Sequence, residues 1–239
     1  MARRRFYVDE VRDGAAELRG DDARHLAHVL RAEPGQKYEI SDSRSAWLAE
    51  ISEARGDRVV FRIIEPLASA ELPVHITLLA ALTKFDRFEW MIEKATELGI
   101  ECIVPVEAAR SEKGLFEASR KRAERWRRIA REAGQQSRRL RAPEILPSVR
   151  FEGALVESAD HRYFFDEETA PPLLRLLPEV RIATARVAML VGPEGGWTTA
   201  ERRAAGEAGW IAASLGPLVL RAETAATAAL AIVLNGWCP

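Results

Sequence analysis

The chain has 239 residues, 47% of them hydrophobic, which is enough for one large domain or two modest domains with buried cores. Its formal net charge of -1 excludes a polycation, and its apolar runs are too short to cross a bilayer, so we predict no membrane segment. Its two cysteines exclude a disulfide framework, and the N-terminus lacks the pattern of a signal peptide, which favours a reduced, cytoplasmic setting.

The first part of the chain is predicted to be a small β-rich domain. Residues 37–65 alternate apolar and polar side chains in short runs separated by turn-forming clusters, as half-buried strands do. One helix interrupts the strands; it begins at Asp21 or Asp22 and ends before Pro34. The pattern indicates a barrel-like domain with an inserted helix, and we place this domain at residues 1–70.

From residue 71 onward the chain is predicted to be an α/β domain. The apolar run from Val74 to Leu82 is typical of a strand covered on both faces, and the following segment has helical spacing up to Gly99. Another apolar run then completes a βαβ unit. The alternation continues, which predicts a mostly parallel sheet with helices on both faces over residues 71–239.

Positive charge is concentrated between Ser119 and Ala142, where ten basic residues against two acidic ones give a local charge of +8. Such a block is a candidate contact for a phosphate backbone. The alternative is a solvated helix in a chain that uses arginine by default, since only five of the 35 basic residues are lysine. The helix is predicted to span about Ala118 to Gln135, with Trp126 as a core residue.

The segment GPEGG, residues 192–196, follows the apolar run VAMLV and precedes WTTAE, in which Thr198 and Glu201 have the spacing of a capping box. A strand-to-helix turn is therefore predicted, with backbone N–H groups available to a ligand. The turn matches neither a P-loop nor a dinucleotide motif, and Glu194 would repel a phosphate. A neutral or cationic ligand with hydroxyl or amine donors fits better; the alternative is a tight turn with an exposed glutamate.

Two further segments are predicted at the carboxyl ends of strands, where open α/β sheets bind ligands. In SLGPLVLRAETAATAAL, a Gly-Pro turn leads into a helix of small residues, and Arg221 and Glu223 lie at the mouth of this helix. Charges are rarely buried unless they are paired, so these two residues belong to a site or form an ion pair at the surface. YFFDEE, residues 163–168, ends a predicted strand in acids, for which solvation is the simpler explanation.

Six segments, in order along the chain, carry a resemblance to a known family: RRRFYVD, HLAHVLRAEPGQ, KFDRFEWMIEKATELGIECIVPV, REAGQQSRRLRAPEI, LVGPEGGWTTAE and SLGPLVLRAETAATAAL. The chain resembles the bacterial 16S ribosomal RNA uridine N3-methyltransferases, within the SPOUT class of methyltransferases that use S-adenosyl-L-methionine. The resemblance implies a PUA-like RNA-binding β-barrel over residues 1–70 and a SPOUT domain over residues 71–239 with a C-terminal trefoil knot. Packing rules alone disfavour such a knot. A homodimer with its active site near the subunit interface is also implied.

The resemblance further implies which residues bind the cofactor and what the substrate is. It places the S-adenosyl-L-methionine site on both loops, with residues 165–167 at the pocket edge. The cofactor residues that it implies are Phe165, Leu190, Gly192, Glu194, Gly195, Gly196, Leu215, Gly216, Leu220, Arg221, Glu223, Thr224 and Ala225. The implied substrate is 16S ribosomal RNA, either free or in the assembled small ribosomal subunit, and the reaction needs no metal.

Methylation at N3 of uracil requires loss of the N3 proton, so a general base or a group that stabilises the uracil anion is needed. Glu194 and Glu223 are the candidate bases. Arg221, Arg138 and Arg139 are candidates for the anion-stabilising group, and the sequence leaves both choices open. RNA contacts are predicted at Arg3, Arg5, Arg31, Arg138 and Arg139. The alternative functions are ribose 2′-O methylation by another SPOUT enzyme and a non-catalytic RNA-binding role in ribosome assembly.

Overall fold

The computed structural model describes residues 4–68, 72–168 and 170–238. The chain divides into two compact units: Met1–Glu71 with Arg131–Ala142 form the first unit, and Leu72–Ala130 with Pro143–Pro239 form the second. A single long helix, Leu115–Gln136, therefore contributes residues to both units. Within the described residues, the helices are too short or too polar to cross a membrane.

The first unit is built on a six-stranded sheet. In sheet order, its strands are β1 (Arg5–Tyr7), β4 (Lys37–Ser41), β5 (Ala46–Arg55), β6 (Arg58–Leu67), β3 (Ala15–Arg19) and β2 (Val11–Arg12). β1 and β4 are parallel, and the other neighbouring pairs are antiparallel. The predicted β-rich organisation of this part of the chain is confirmed.

The core of the first unit follows from the alternation of side chains along the strands. Ile51 on β5 lies opposite Phe61 on β6, and both side chains are fully buried. Phe6 and Ile40, which also pair across neighbouring strands, complete the centre of the same cluster. One face of the sheet therefore supplies a continuous apolar core.

The predicted helix between the strands is present, and it changes type along its length. Helix α1 (Gly20–Arg24) continues directly into a π-helical turn, His25–Val29. The Leu30 N–H bonds to the His25 carbonyl at 3.0 Å, which is the longer-range bond that widens this turn. The buried side chain of Leu26 fixes the turn to the core of the sheet.

The second unit contains a sheet in which all neighbouring strands are parallel. In sheet order, its strands are β10 (Val149–Arg150), β8 (Cys102–Glu107), β7 (Val74–Ala81), β12 (Ala185–Val191), β11 (His161–Phe165) and β13 (Ile211–Ala213), and β9 (Glu144–Ile145) pairs with β8. The predicted parallel sheet is confirmed.

Helices cover both faces of this sheet. They are α2 (Phe85–Glu97), α3 (Leu115–Gln136), α4 (Phe151–Leu155), α5 (Leu173–Leu176), α6 (Thr199–Glu207) and α7 (Ala222–Trp237). Leu78 of β7 belongs to one buried cluster with Trp126 of α3, whereas the next residue, Leu79, belongs to another cluster with Phe151 of α4. Trp126 is buried, so its predicted core position is confirmed.

The strand order of the second unit determines where a site can form. β12, β11 and β13 are neighbours, and they run in the same direction. Their carboxyl ends therefore lie at one edge of the sheet. The three segments that the sequence singled out, YFFDEE, GPEGG and SLGP, come together there, although about 20 residues separate each from the next in the chain.

Candidate functional site

A pocket open to solvent lies where the segments after β11, β12 and β13 meet. Eight predicted cofactor residues line it: Phe165, Gly192, Glu194, Gly196, Leu215, Gly216, Leu220 and Ala225. The other five predicted residues do not line the pocket: Leu190, Gly195, Arg221, Glu223 and Thr224. Leu190 is fully buried in the core of the sheet.

One wall of the pocket is the glycine loop, residues 192–197, and Trp197 anchors it. The Trp197 indole is buried, donates from Nε1 to the Phe165 carbonyl at 2.8 Å, and stacks on Phe164 with 4.8 Å between ring centroids. A Cβ atom at Gly192 would lie 2.8 Å from Cε2 of this indole. The loop can pass over the ring only because residue 192 has no side chain.

The glycine loop leads into α6 through the predicted capping box. The Thr198 N–H bonds to Glu201 Oε2 at 2.8 Å, and the Glu201 N–H bonds to the Thr198 hydroxyl at 3.2 Å. The other Glu201 oxygen accepts a bond from the Ala109 N–H at 2.8 Å, and the glutamate is only 6% exposed. A buried carboxylate therefore joins the start of α6 to the segment after β8.

Two arginines that the sequence analysis missed also bind the glycine loop. Arg87, in the first turn of α2, forms an ion pair with Glu194. Arg110 donates from Nη1 to the Gly195 carbonyl at 2.8 Å. Both arginines follow the carboxyl end of a parallel strand, β7 or β8. The rule that sites lie at these ends would have brought both of them into consideration.

The acidic end of β11 lines the edge of the pocket through Phe165, Asp166 and Glu167. Asp166 is not a solvated acid, since its side chain is 7% exposed and bonds to Arg202 at 2.5 and 3.0 Å. The hydrogen bond that Arg202 donates to Asp166 raises the pKa of the Arg202 guanidinium. Glu167 faces Gly196, which has a φ of 66° and where a Cβ atom would lie 2.5 Å from Glu167 Oε1.

The opposite wall is the Leu-Val loop, residues 214–220. The Ser214 hydroxyl accepts a bond from the Gly216 N–H at 3.1 Å, which forms a local turn. Leu218 and Val219 line the pocket and are nevertheless 78% and 79% exposed. This loop therefore presents apolar side chains to solvent at the pocket mouth.

Helix α7 begins directly after the Leu-Val loop. Arg221 is its N-cap residue and is exposed, while Ala222 and Ala225 line the pocket. Glu223 has a buried carboxylate oxygen, Oε2, for which the described residues provide no hydrogen-bond partner. No ion pair joins Arg221 to Glu223 in the part of the chain that the structure describes. Glu223 therefore retains a buried acceptor that no group of the described residues satisfies.

The arginines predicted to contact RNA have different surroundings in the first unit. Arg5 is 6% exposed, and its guanidinium donates to Glu39 at 3.2 and 3.0 Å, so it holds two strands together. Arg138 reaches the same Glu39 at 3.3 Å with a partly exposed side chain. Arg31 is exposed and has a φ of 50°. Arg139 is half-buried, and Arg3 lies outside the described residues.

The basic block around α3 is partly neutralised by acids. Arg125 donates two bonds to Glu89, at 2.7 and 2.8 Å. Arg131 donates to Asp22 at 2.9 Å. The count of +8 therefore overstates the charge available to a phosphate backbone, because part of it is held in ion pairs.

Comparison with families of known proteins matches both the N-terminal and the C-terminal part of the chain to domains of RNA methyltransferases. Residues 70–234 match the family described as RNA methyltransferase domain, and residues 18–64 match the RNA methyltransferase PUA domain. The first of these matches covers more than half of the chain.

Individual relatives match over nearly the whole length. The chain is 29% identical to Ribosomal RNA small subunit methyltransferase E of Bacillus subtilis, over 96% of this chain and 95% of that protein. It is 32% identical to the protein of the same name in Mycobacterium tuberculosis, over 95% and 90%. A crystal structure of such a protein from Neisseria gonorrhoeae, bound to S-adenosyl methionine, is 30% identical, covers 98% of both chains and has a TM-score of 0.87.

Proposed function

Because the chain belongs to the RNA methyltransferase family, with a PUA domain at its N-terminus, we propose that it methylates N3 of a uridine in 16S ribosomal RNA, using S-adenosyl-L-methionine. The observation that carries this proposal is the pocket at the ends of β11, β12 and β13, where eight predicted cofactor residues meet. The relatives named as small-subunit ribosomal RNA methyltransferases supply the substrate class.

The pocket residues fit this cofactor. Gly196 lets the loop approach Glu167 at the pocket edge, because a Cβ atom there would lie 2.5 Å from the Glu167 carboxylate. Glu194, which lines the pocket, is an acceptor suited to the amino group or a ribose hydroxyl of the cofactor. Leu215 and Leu220 provide apolar surface for its adenine. When bound, S-adenosylmethionine would supply an electrophilic methyl group on a sulfonium, whose sulfur would leave as a neutral thioether as the methyl carbon bonds to the nucleophile.

The side chains of this protein then have two tasks, positioning and proton removal. Positioning the uracil nitrogen opposite the methyl group supplies much of the acceleration. Glu223 or Glu194 accepts the N3 proton; one Glu194 oxygen is paired with Arg87, and Glu223 has a buried oxygen without a hydrogen-bond partner among the described residues. Arg221, exposed at the start of α7, stabilises the negative charge that develops on the uracil.

The proposal extends to the finer organisation of the molecule. Residues 1–70 form a PUA-like barrel that binds RNA, and Arg31 in this range and Arg138 and Arg139 outside it contact the RNA. Residues 71–239 form the SPOUT domain, which carries a trefoil knot and pairs with a second copy to give a homodimer in the cytoplasm. The family relationship supports these assignments, as does the exposed apolar surface of Leu218 and Val219 for the dimer.

Primer extension on 16S ribosomal RNA tests the function directly. RNA or small subunits that lack the modification are incubated with the protein and S-adenosylmethionine, and a reaction without the cofactor serves as the control. A methyl group at N3 blocks the Watson–Crick edge, so reverse transcriptase stops at one uridine. A stop only at low nucleotide concentration would indicate ribose 2′-O methylation instead. Full read-through, with RNA binding that weakens steeply with salt, would indicate a non-catalytic assembly factor.

A further inference from the structure

The ion pair between Arg87 and Glu194 connects α2 to the glycine loop. Arg87 lies in the first turn of the helix, and its side chain is 31% exposed, against 41% for Glu194. The Glu194 carboxylate lines the pocket, whereas Arg87 does not. Any influence of Arg87 on a bound cofactor is therefore exerted through Glu194.

Other hydrogen bonds fix the backbone of the glycine loop, but they do not involve the Glu194 side chain, which binds Arg87. The Gly195 carbonyl accepts from Arg110 at 2.8 Å, and the Gly196 N–H bonds to the Pro193 carbonyl at 2.9 Å. Within residues 4–68, 72–168 and 170–238, Arg87 is the one side chain that binds the Glu194 carboxylate. The direction of the carboxylate therefore depends on this arginine.

We infer that Arg87 is a positioning residue for the methyl donor. By binding one oxygen of Glu194, it directs the other oxygen towards a hydrogen-bond donor of S-adenosylmethionine, either its amino group or a ribose hydroxyl. This inference rests on the proposed function. A guanidinium suits the task because it is planar and always charged, so it holds a carboxylate in one orientation. In this arrangement Glu194 binds the cofactor, and proton removal falls to Glu223.

Calorimetric titration with S-adenosylmethionine tests the inference on the full chain. The variants are Arg87→Gln, Glu194→Gln, the double variant and Arg87→Lys. Lys94→Gln is the matched control, since Lys94 lies on the same helix and binds Glu93 and Glu97, each at 2.8 Å. We expect each single glutamine variant to bind the cofactor about tenfold more weakly, as for a lost hydrogen bond to a charged group.

The double variant separates positioning from a general structural effect. If Arg87 acts through Glu194, the double variant binds no more weakly than Glu194→Gln alone. Arg87→Lys regains part of the lost affinity, and Lys94→Gln binds as the unaltered protein does. Independent losses that multiply to about 100-fold in the double variant would overturn the inference.

The two levels of the proposal fail in different ways. Wild-type affinity in Arg87→Gln, with normal binding by the unaltered protein, overturns the role of Arg87 and leaves the proposed function standing. Failure of the unaltered protein to bind S-adenosylmethionine overturns the proposed function and this inference together.

Discussion

The two walls of the pocket are built in opposite ways. The glycine loop is held by Trp197, by the capping box of α6 and by arginines from two other segments. The Leu-Val loop is bonded at its first residue, where the Ser214 backbone pairs with Pro171 and Leu173, each at 2.9 Å. Beyond the local bond between Ser214 and Gly216, its Leu218 and Val219 side chains are mostly exposed. The glycine loop is therefore fixed by packing before any ligand arrives, whereas residues 216–219 of the Leu-Val loop are not.

Because of this difference, we expect substitutions in the two walls to differ in their effects on the stability of the folded protein and on ligand binding. Residues of the glycine loop satisfy buried hydrogen bonds and pack on aromatic rings, so changes there should destabilise the folded protein as well as weaken binding. Leu218 and Val219 gain little from the folded chain itself, because most of their surface remains in water. Substitution of either residue should weaken the binding of a ligand or partner and leave the free energy of unfolding unchanged.

The largest effect is expected at Gly192. Gly192→Ala places a Cβ atom 2.8 Å from the buried Trp197 indole, so the ring or the loop must move. We expect the free energy of unfolding to fall by about 2 kcal/mol in chemical denaturation. The misplaced loop should also lower methyl transfer by about 100-fold.

Gly206→Ala is the control for this substitution. Gly206 lies within α6, and a Cβ atom there meets nothing within 4 Å. An alanine should stabilise the helix by about 1 kcal/mol. Similar unfolding curves for the two variants would show that the glycine loop is not fixed by its packing on Trp197.

The next largest effect is expected at Glu201. Glu201→Ala removes the acceptor for the backbone N–H groups of Thr198 and Ala109, at the start of α6 and after β8. We expect a loss of about 1.5 kcal/mol in the free energy of unfolding, measured by urea denaturation. Glu207→Ala in the same helix breaks only the exposed pair with Arg203 and should change stability by less than about 0.5 kcal/mol. Equal losses would contradict the role of the buried carboxylate.

The contrast between the walls also shows which parts of the site sequence can predict. The capping box is a local pattern: Thr198 and Glu201 are three residues apart, so their spacing alone predicted their bonds. The position of the loops followed from apolar runs that end in glycine. Both signals depend on neighbours in the chain, which a single sequence contains.

Contacts between distant residues were not predictable in the same way. Arg87 and Arg110 reach the glycine loop from other segments, and nothing in their local sequence specifies that partner. Arg5 stands in a basic cluster, yet it is buried against Glu39, which is 34 residues away in the chain. Gly134 shows the same limit, since a Cβ atom there would lie 2.5 Å from the Tyr7 hydroxyl. Such contacts depend on how the chain folds, and the spacing of residues along the sequence does not specify them.

A smaller effect, of a different kind, is expected in the Leu-Val loop. Leu218→Ser removes apolar surface that lines the pocket but is 78% exposed in the folded chain. We expect the free energy of unfolding, measured without ligand, to change by less than about 0.5 kcal/mol. Affinity for S-adenosylmethionine should fall about fivefold, as for about 1 kcal/mol of lost apolar contact.

Val156→Ser supplies the comparison for Leu218→Ser. Val156 is 80% exposed at the end of α4 and does not line the pocket. In Val156→Ser, neither the free energy of unfolding nor the affinity for S-adenosylmethionine should change by a measurable amount. A marked loss of stability in Leu218→Ser alone would show that the Leu-Val loop is fixed by packing, as the glycine loop is.

The smallest effect is expected at two hydroxyl groups, one for each wall. Ser214→Ala removes the hydroxyl that accepts a bond from the Gly216 N–H. Gly216 is exposed, so its N–H can bond to water instead, and the free energy of unfolding should not change. Cofactor affinity should fall about twofold, because the turn loses its internal bond. Thr198→Ala removes an N-cap hydroxyl of the same chemistry and should cost about 1 kcal/mol of stability. Denaturation of the two variants side by side compares one hydroxyl in two settings. Because each variant loses a hydroxyl that accepts a bond from a backbone N–H, equal stability losses would mean that the two walls are held alike.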